Sequence, residues 1–292
     1  MRPVITWRMA LLLLALPSAA AAQALRIGSL QIPQDARPGP WVTYHVTTQS
    51  TNLPPREFSQ RVAIVSEEGL GDDEGVWVEL KTIDPQAGTR IERGFFVRAE
   101  PGSDATSAGT SPARVLRRVQ RLNPDGKLYE YPPESDVGVR SNADVARLDL
   151  FEIDSHQAPR VDTLGVDTLH IGKRALISLR VRQRWLGTDE WPDERDSTRV
   201  WRATLSVIRH QCPDIPAAGY TRSTFEVVSQ AFAATDSTGS APLPSDSLKT
   251  HTIYRADVEV TDLGTGAVPE VTQEPEPAPV VEEPETPSGS DR

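Results

Sequence analysis

From Trp41 onward the chain is organised by a two-residue repeat. Val42, Tyr44 and Val46 fall on one side of it and Thr43, His45 and Thr47 on the other, the period of a half-buried β-strand. A β-rich stretch at 60–66, a glycine and acid run at 69–75, and an alternation of Val76, Val78 and Leu80 with Trp77, Glu79 and Lys81 predict a hairpin across 60–82. Strands are also predicted at 90–98, 115–122 and 127–131. The last two are joined by Asn123-Pro124-Asp125-Gly126, where proline suits the second turn position and glycine the positive φ at its end. The longest alternation sets Ile177, Leu179, Val181 and Trp185 against Ser178, Arg180, Arg182 and Arg184, with Gly172-Lys173 linking it back to a strand at 166–171. Strands at 200–207, 220–232 and 252–263 complete the set. One segment, 142–152, reads as a helix, with Ser141 or Asn142 as cap and Val145, Leu148 and Phe151 at helical spacing. The fold class is therefore mainly β: one strongly curved antiparallel sheet, a half-barrel, with one or two helices.

The ends follow other rules. Residues 1–24 carry Arg2 and Arg8, a leucine-rich run at 9–16, Pro17 and a string of small residues, the order of a secretory signal peptide, with cleavage expected after Ala22 or Ala24. The apolar run is far shorter than the roughly 20 residues of a membrane-spanning helix. An exported protein, periplasmic or extracellular, is expected, with no membrane span. No cysteine stands at the cleavage site, so no lipid anchor is expected either. Residues 25–39, with Pro33 and Pro38, read as an irregular lead-in, and 25–267 as the curved β-sheet domain. From 268 to 292 glutamate and proline interleave, which predicts a disordered acidic tail. The insertions 187–197 and 233–246 are predicted to be mobile for similar reasons.

Composition narrows the partners. The net charge is −10, which gives no long-range attraction for nucleic acid or anionic lipid. Cys212 is the single cysteine, so no internal disulfide is available and a buried thiol is expected.

Little chemistry is visible. There is no G-x-S-x-G segment, and Ser178, Ser206 and Ser223 lie within strand patterns. His210 and Cys212 are two residues apart, a generic spacing, and a structural zinc site needs four ligands. His45, His156, His170 and His251 are scattered. Asp72-Asp73-Glu74 lacks the pattern of a calcium loop. No catalytic residue, metal site or cofactor is assigned, and the chain is not read as an enzyme. Two basic rows remain, Arg114, Arg117, Arg118 and Arg121, and Arg180, Arg182 and Arg184. They suit either cross-strand pairing to acids or the rim of an anionic ligand. Trp41, Trp77, Trp185 and Trp201, one per strand, suit either the core or the lining of a lipophilic cavity. The ligand-binding candidates are therefore Trp41, Trp77, Trp185, Trp201, Arg180 and Arg182.

Three short motifs, Gly39-Pro40-Trp41-Val42-Thr43-Tyr44, Gly75-Val76-Trp77-Val78-Glu79-Leu80 and Leu263-Gly264-Thr265-Gly266-Ala267, give residues 39–267 a resemblance to the LolA/LolB-like lipoprotein-carrier superfamily of exported proteins. The resemblance implies a half-barrel with helix against its concave face and an apolar cavity for acyl chains, hence a lipophilic small molecule or a lipoprotein as partner. The functional expectation is non-catalytic binding of a lipophilic or amphipathic ligand. A second reading makes the acidic tail an interaction or scaffold module for an envelope protein partner, and a third is a hydrolase whose site the sequence does not display.

Overall fold

The computed structural model describes residues 25–50, 53–70, 73–98, 114–123, 125–131, 159–193, 196–233, 241–242 and 250–277. The strands are β1 (Trp41–Ser50), β2 (Leu53–Leu70), β3 (Asp73–Asp84), β4 (Gly88–Val97), β5 (Val115–Leu122), β6 (Leu128–Tyr131), β7 (Arg160–Ile171), β8 (Arg174–Asp193), β9 (Asp196–Gln211), β10 (Tyr220–Ala233), β11 (Ala241–Pro242), β12 (Thr250–Gly264) and β13 (Glu276–Pro277). They form one sheet in the order β13-β6-β5-β4-β3-β2-β1-β12-β10-β9-β8-β7, with β11 attached to β10. The sheet is not closed: β13 stands at one end of the path and β7 at the other. Every pairing is antiparallel except that of β13 with β6.

Sequence alternation becomes two faces. Val42, Tyr44 and Val46 are fully buried and look to what is here named the inner face, joined there by Val62, Val78, Leu80 and Val258. Over this half of the sheet the inner face is filled by the lead-in. Leu25, Ile27, Leu30 and Ile32 are all buried in the main core, together with Cys212, Ile215, Ala217 and Ala218 of the β9–β10 connection. The lead-in is tied down by Gln60, whose side chain accepts from the Leu25 N–H at 2.8 Å and donates to the Leu25 carbonyl at 3.1 Å. Gly94 leaves room for it, since a Cβ there would meet Ile27 at 2.7 Å.

The expected helix against this face is replaced, among the described residues, by that extended segment with a single 3-10 turn, Ile27–Ser29. Pro33 and Pro38 interrupt any helix running through the segment, while branched apolar side chains still fill the space. The helix candidate at 142–152 and the signal segment at 1–24 lie outside the described residues.

Three other expectations are corrected or refined. The insertion at 187–197 is largely β-hairpin: Glu190, Trp191 and Pro192 stand opposite Arg202, Trp201 and Val200. The acidic composition does not prevent this, since main-chain pairing does not require apolar side chains. Of the insertion at 233–246, only Ala233 and Ala241–Pro242 are described, and they pair with each other's strands. The tail does not leave the domain at 268: residues 265–277 cross the outer face and end as β13 on β6, and 278–292 lie outside the described residues.

That crossing explains why β3 is buried on both faces. Trp77 and Phe95 pack with Ala63, Val65, Val97 and Ala267 on the outer side, with Trp41 against them. Gly264 lies under Trp41, where a Cβ would approach the ring to 2.7 Å, and the Ala267 N–H donates to the Gly39 carbonyl at 2.8 Å. The three motifs that carry the family resemblance thus meet at one place.

Candidate functional site

Three places hold chemistry or accessible apolar surface. The first is the inner face beyond the filled half. Ile177 and Leu179 of β8 are 64% and 42% exposed, and Val161 and Val166 of β7 are 57% and 68% exposed. Val166 stands directly opposite Leu179, and Thr168 opposite Ile177, so Val166, Leu179 and Ile177 make an apolar strip along the edge of the sheet, while Val161 lies further along β7, opposite Gln183. The half-buried Val181 and Trp185 continue it. Trp185 packs on a second cluster, Leu205, Val227, Tyr254 and neighbours, reached by direct cross-strand register: Trp185 to Leu205, Leu205 to Val227, Val227 to Tyr254. Tyr254 is 3% exposed and its hydroxyl has no hydrogen-bond partner among the described residues. Burial pushes that hydroxyl well above the ordinary phenol range, so it remains an unused donor among apolar groups.

The second place is a cleft of about 470 Å³ at the end of the sheet. Pro33, Pro38, Pro40, Pro213 and Pro216 wall it with Ile64, Ala217 and Leu263, and Arg37, Arg174, Asp35 and Asp214 mark its rim. Its volume is within the usual range of small-molecule sites. Ala217 sits at φ 66 while the Ala218 N–H donates to the Pro216 carbonyl at 2.7 Å, the hydrogen bond of a tight three-residue turn. Beneath the cleft Tyr44 donates to the Tyr220 carbonyl at 3.2 Å, and burial pushes the Tyr220 hydroxyl up to about 12.

The third is polar and lies on the outer face. His210 Nδ1 is 3.0 Å from Asp167 Oδ2, and Arg222 Nη1 is 3.6 Å from the same oxygen. Arg180 is the cross-strand neighbour of His210. Burial holds the imidazole below its ordinary pKa; Asp167 opposes this, and Arg180 and Arg222 add to it. Ser178 is nearby, but its hydroxyl is engaged with Thr221 at 3.1 Å, and no serine or cysteine is hydrogen-bonded to the His210 side chain among the described residues. The group has the residue types of a hydrolase without a nucleophile in reach of the base. Among the described residues no cluster of three metal-ligating side chains occurs.

The tryptophans named from sequence do not converge. Trp41 and Trp77 belong to the outer-face cluster, with Arg61 over the Trp41 ring at 5.0 Å and Arg93 over Trp77 at 4.7 Å. Trp185 borders the inner strip, and Trp201 stacks near His251 at 5.4 Å. Arg180 and Arg182 are on the outer face with His210 and Ile208 beside them. Cross-strand pairing accounts for other members of the basic rows: Arg184 with Asp162 at 2.7 Å, Arg118 with Glu130 at 2.7 Å and Arg121 with Glu92 at 2.7 Å. Sequence reasoning missed Val161, Val166 and Tyr254. The opposed valines on β7 were the available signal, since their strand shows alternation without the density of a core strand.

No family model matches the chain, and no curated protein matches it. Two solved structures do. A candidate lipoprotein from Parabacteroides distasonis shares 7% identity at a TM-score of 0.28, with 80% of this chain and 99% of that chain covered. A LolA superfamily protein from Nitrosomonas europaea shares 11% identity at a TM-score of 0.22, with 87% and 94% covered. No helix among the described residues is long and apolar enough to cross a membrane.

Proposed function

We propose that this protein is an exported, non-catalytic envelope protein that binds a lipophilic or amphipathic ligand along the inner strip of β7 and β8. The observation that carries the reading is the exposure of Val166, Leu179 and Ile177 side by side, with Val161 further along the same face, on a chain of net charge −10. Contiguous apolar rows on soluble proteins mark places where something apolar is covered. Trp185 extends the row toward the buried cluster of Leu205, Val227 and Tyr254. The filled half of the inner face argues for a ligand lying on the sheet rather than inside a large closed cavity. The signal segment supports an envelope or extracellular location.

The test uses a fluorescent acyl probe titrated into the purified protein, with lipid extraction of the same preparation. Wild type is expected to take up the probe with saturation, and Leu179→Lys to lose most of that uptake while keeping its urea midpoint. Equal uptake by the two proteins, with no extractable lipid, would sink the proposal.

A further inference from the structure

Residues 265–277 form a strap over the outer face, from the end of β12 to the far edge at β6. Ala267 and Val271 are its only buried apolar side chains among the described residues, and Val268 is 70% exposed. Its fastening is mostly polar. The Glu270 and Val271 N–H groups donate to the two carboxylate oxygens of Glu79 at 3.0 and 3.4 Å. The Glu270 carboxylate bridges Lys81 at 2.6 Å and Arg61 at 3.2 Å. Val271 enters a pit of Ile91, Leu122 and Leu128. Further on, Glu276 pairs with Lys127 at 3.0 Å, and Glu276–Pro277 adds a parallel strand to β6.

This seat recognises features that other extended chains share. Glu79 reads main-chain N–H groups rather than a side chain. Arg61 with Lys81, and then Lys127, answer carboxylates six residues apart. One apolar pit lies between them, and the edge of β6 takes an added strand, as it takes β13. Main-chain pairing for affinity and spaced pockets for selectivity are how proteins bind extended peptides. The strap also fills the seat loosely. Its ion pairs with Arg61, Lys81 and Lys127 are partly exposed to solvent, where such pairs contribute little, and thirteen residues are ordered with only Ala267 and Val271 buried among their apolar side chains.

We propose that the outer-face groove is a binding site for an extended acidic peptide, Glu-Val followed by a second acid, and that the strap occupies it in cis. A partner carrying such a segment binds by displacing the strap. This inference is independent of the inner-face ligand.

The test titrates a labelled synthetic peptide of residues 265–277 against the full chain by fluorescence anisotropy. Wild type binds weakly, because its own strap competes. The full-chain double variant Glu270→Ala/Val271→Ser, with the groove intact, binds about 10-fold tighter or more, since the competent fraction rises. Adding Lys81→Glu removes that binding, and a peptide with lysine at both acidic positions does not bind. Equal binding of the acidic and charge-reversed peptides overturns the proposal, as does no binding to a double variant whose circular dichroism matches wild type. If the double variant unfolds, a protease site placed between Gly264 and Thr265 of the full chain decides. Exchange of the cut strap for labelled peptide supports the groove; a cut strap that stays bound without exchange overturns it.

Discussion

A carboxylate buried to 4% exposure needs donors aimed at it, and Glu79 has two. They are the main-chain N–H groups of Glu270 and Val271, and the Arg93 guanidinium adds an ion pair, its Nε 3.2 Å away. Desolvation still exceeds these and holds the carboxyl above its ordinary pKa, while burial lowers that of Arg93. Glu79→Ala takes the carboxylate from the largely buried Arg93 and leaves two N–H groups unanswered, and should cost about 3–5 kcal/mol in urea unfolding. Glu79→Gln keeps an acceptor and should cost about 1–2 kcal/mol. The pH dependence has a fixed sign. A carboxyl whose pKa is raised by folding contributes stability that is complete below its unfolded pKa and is lost as pH rises through the folded value. Glu79→Gln should therefore gain on wild type as pH rises through that window, and a deficit that grows instead would contradict the assignment. Tyr254 is the complementary case, a buried hydroxyl with no partner among the described residues. Tyr254→Phe should leave the ligand-free protein unchanged or raise its stability by up to about 1 kcal/mol, read from the same unfolding curves.

At the scale of elements, strands were legible and their coverings were not. Val42, Tyr44 and Val46 alternate with polar neighbours, and they are buried as that pattern requires. Asn123 to Gly126 turns as read, with the Gly126 N–H donating to the Asn123 carbonyl at 2.9 Å and Gly126 at φ 81. The two elements that cover the sheet have no period to detect. Leu25, Ile27, Leu30 and Ile32 are spaced for neither helix nor strand, and the following prolines gave them the look of a loop. The strap contains one buried valine among glutamates and prolines, so composition alone sent it into solvent. Sites suffered for the same reason. Trp41 and Trp77 looked like ligand contacts because nothing in the sequence revealed that Ala267 would return over them. The lead-in carries a direct test. Ile32 is fully buried, so Ile32→Ala should destabilise by about 2–5 kcal/mol, as a shift in the urea midpoint. A lead-in that merely lay on the surface would show almost no shift.

At the scale of the whole molecule the sheet has two ends with different protection. The β6 end carries β13. The β7 end, twelve residues long, has no partner strand on its outer side among the described residues. An open edge beside exposed valines is a site for strand-to-strand association. Two devices oppose it. The register slips between Thr163 and Gly165, where Gly165 takes φ 117, and such a bulge breaks the regular row of donors and acceptors. Asp162 and Asp167 keep charge on the strand, held across to Arg184 and to His210 with Arg222. The molecule can then keep an apolar strip available on the inner face of β7 and β8 without the neighbouring edge recruiting another sheet. The balance is testable by placing one new valine at two positions. Asp162→Val removes a charge from the open edge and should give concentration-dependent association by light scattering. Thr47→Val adds the same side chain to β1, a strand paired on both sides, and should leave the mass unchanged. Matching behaviour of the two variants would show that surface hydrophobicity, and not the open edge, governs association.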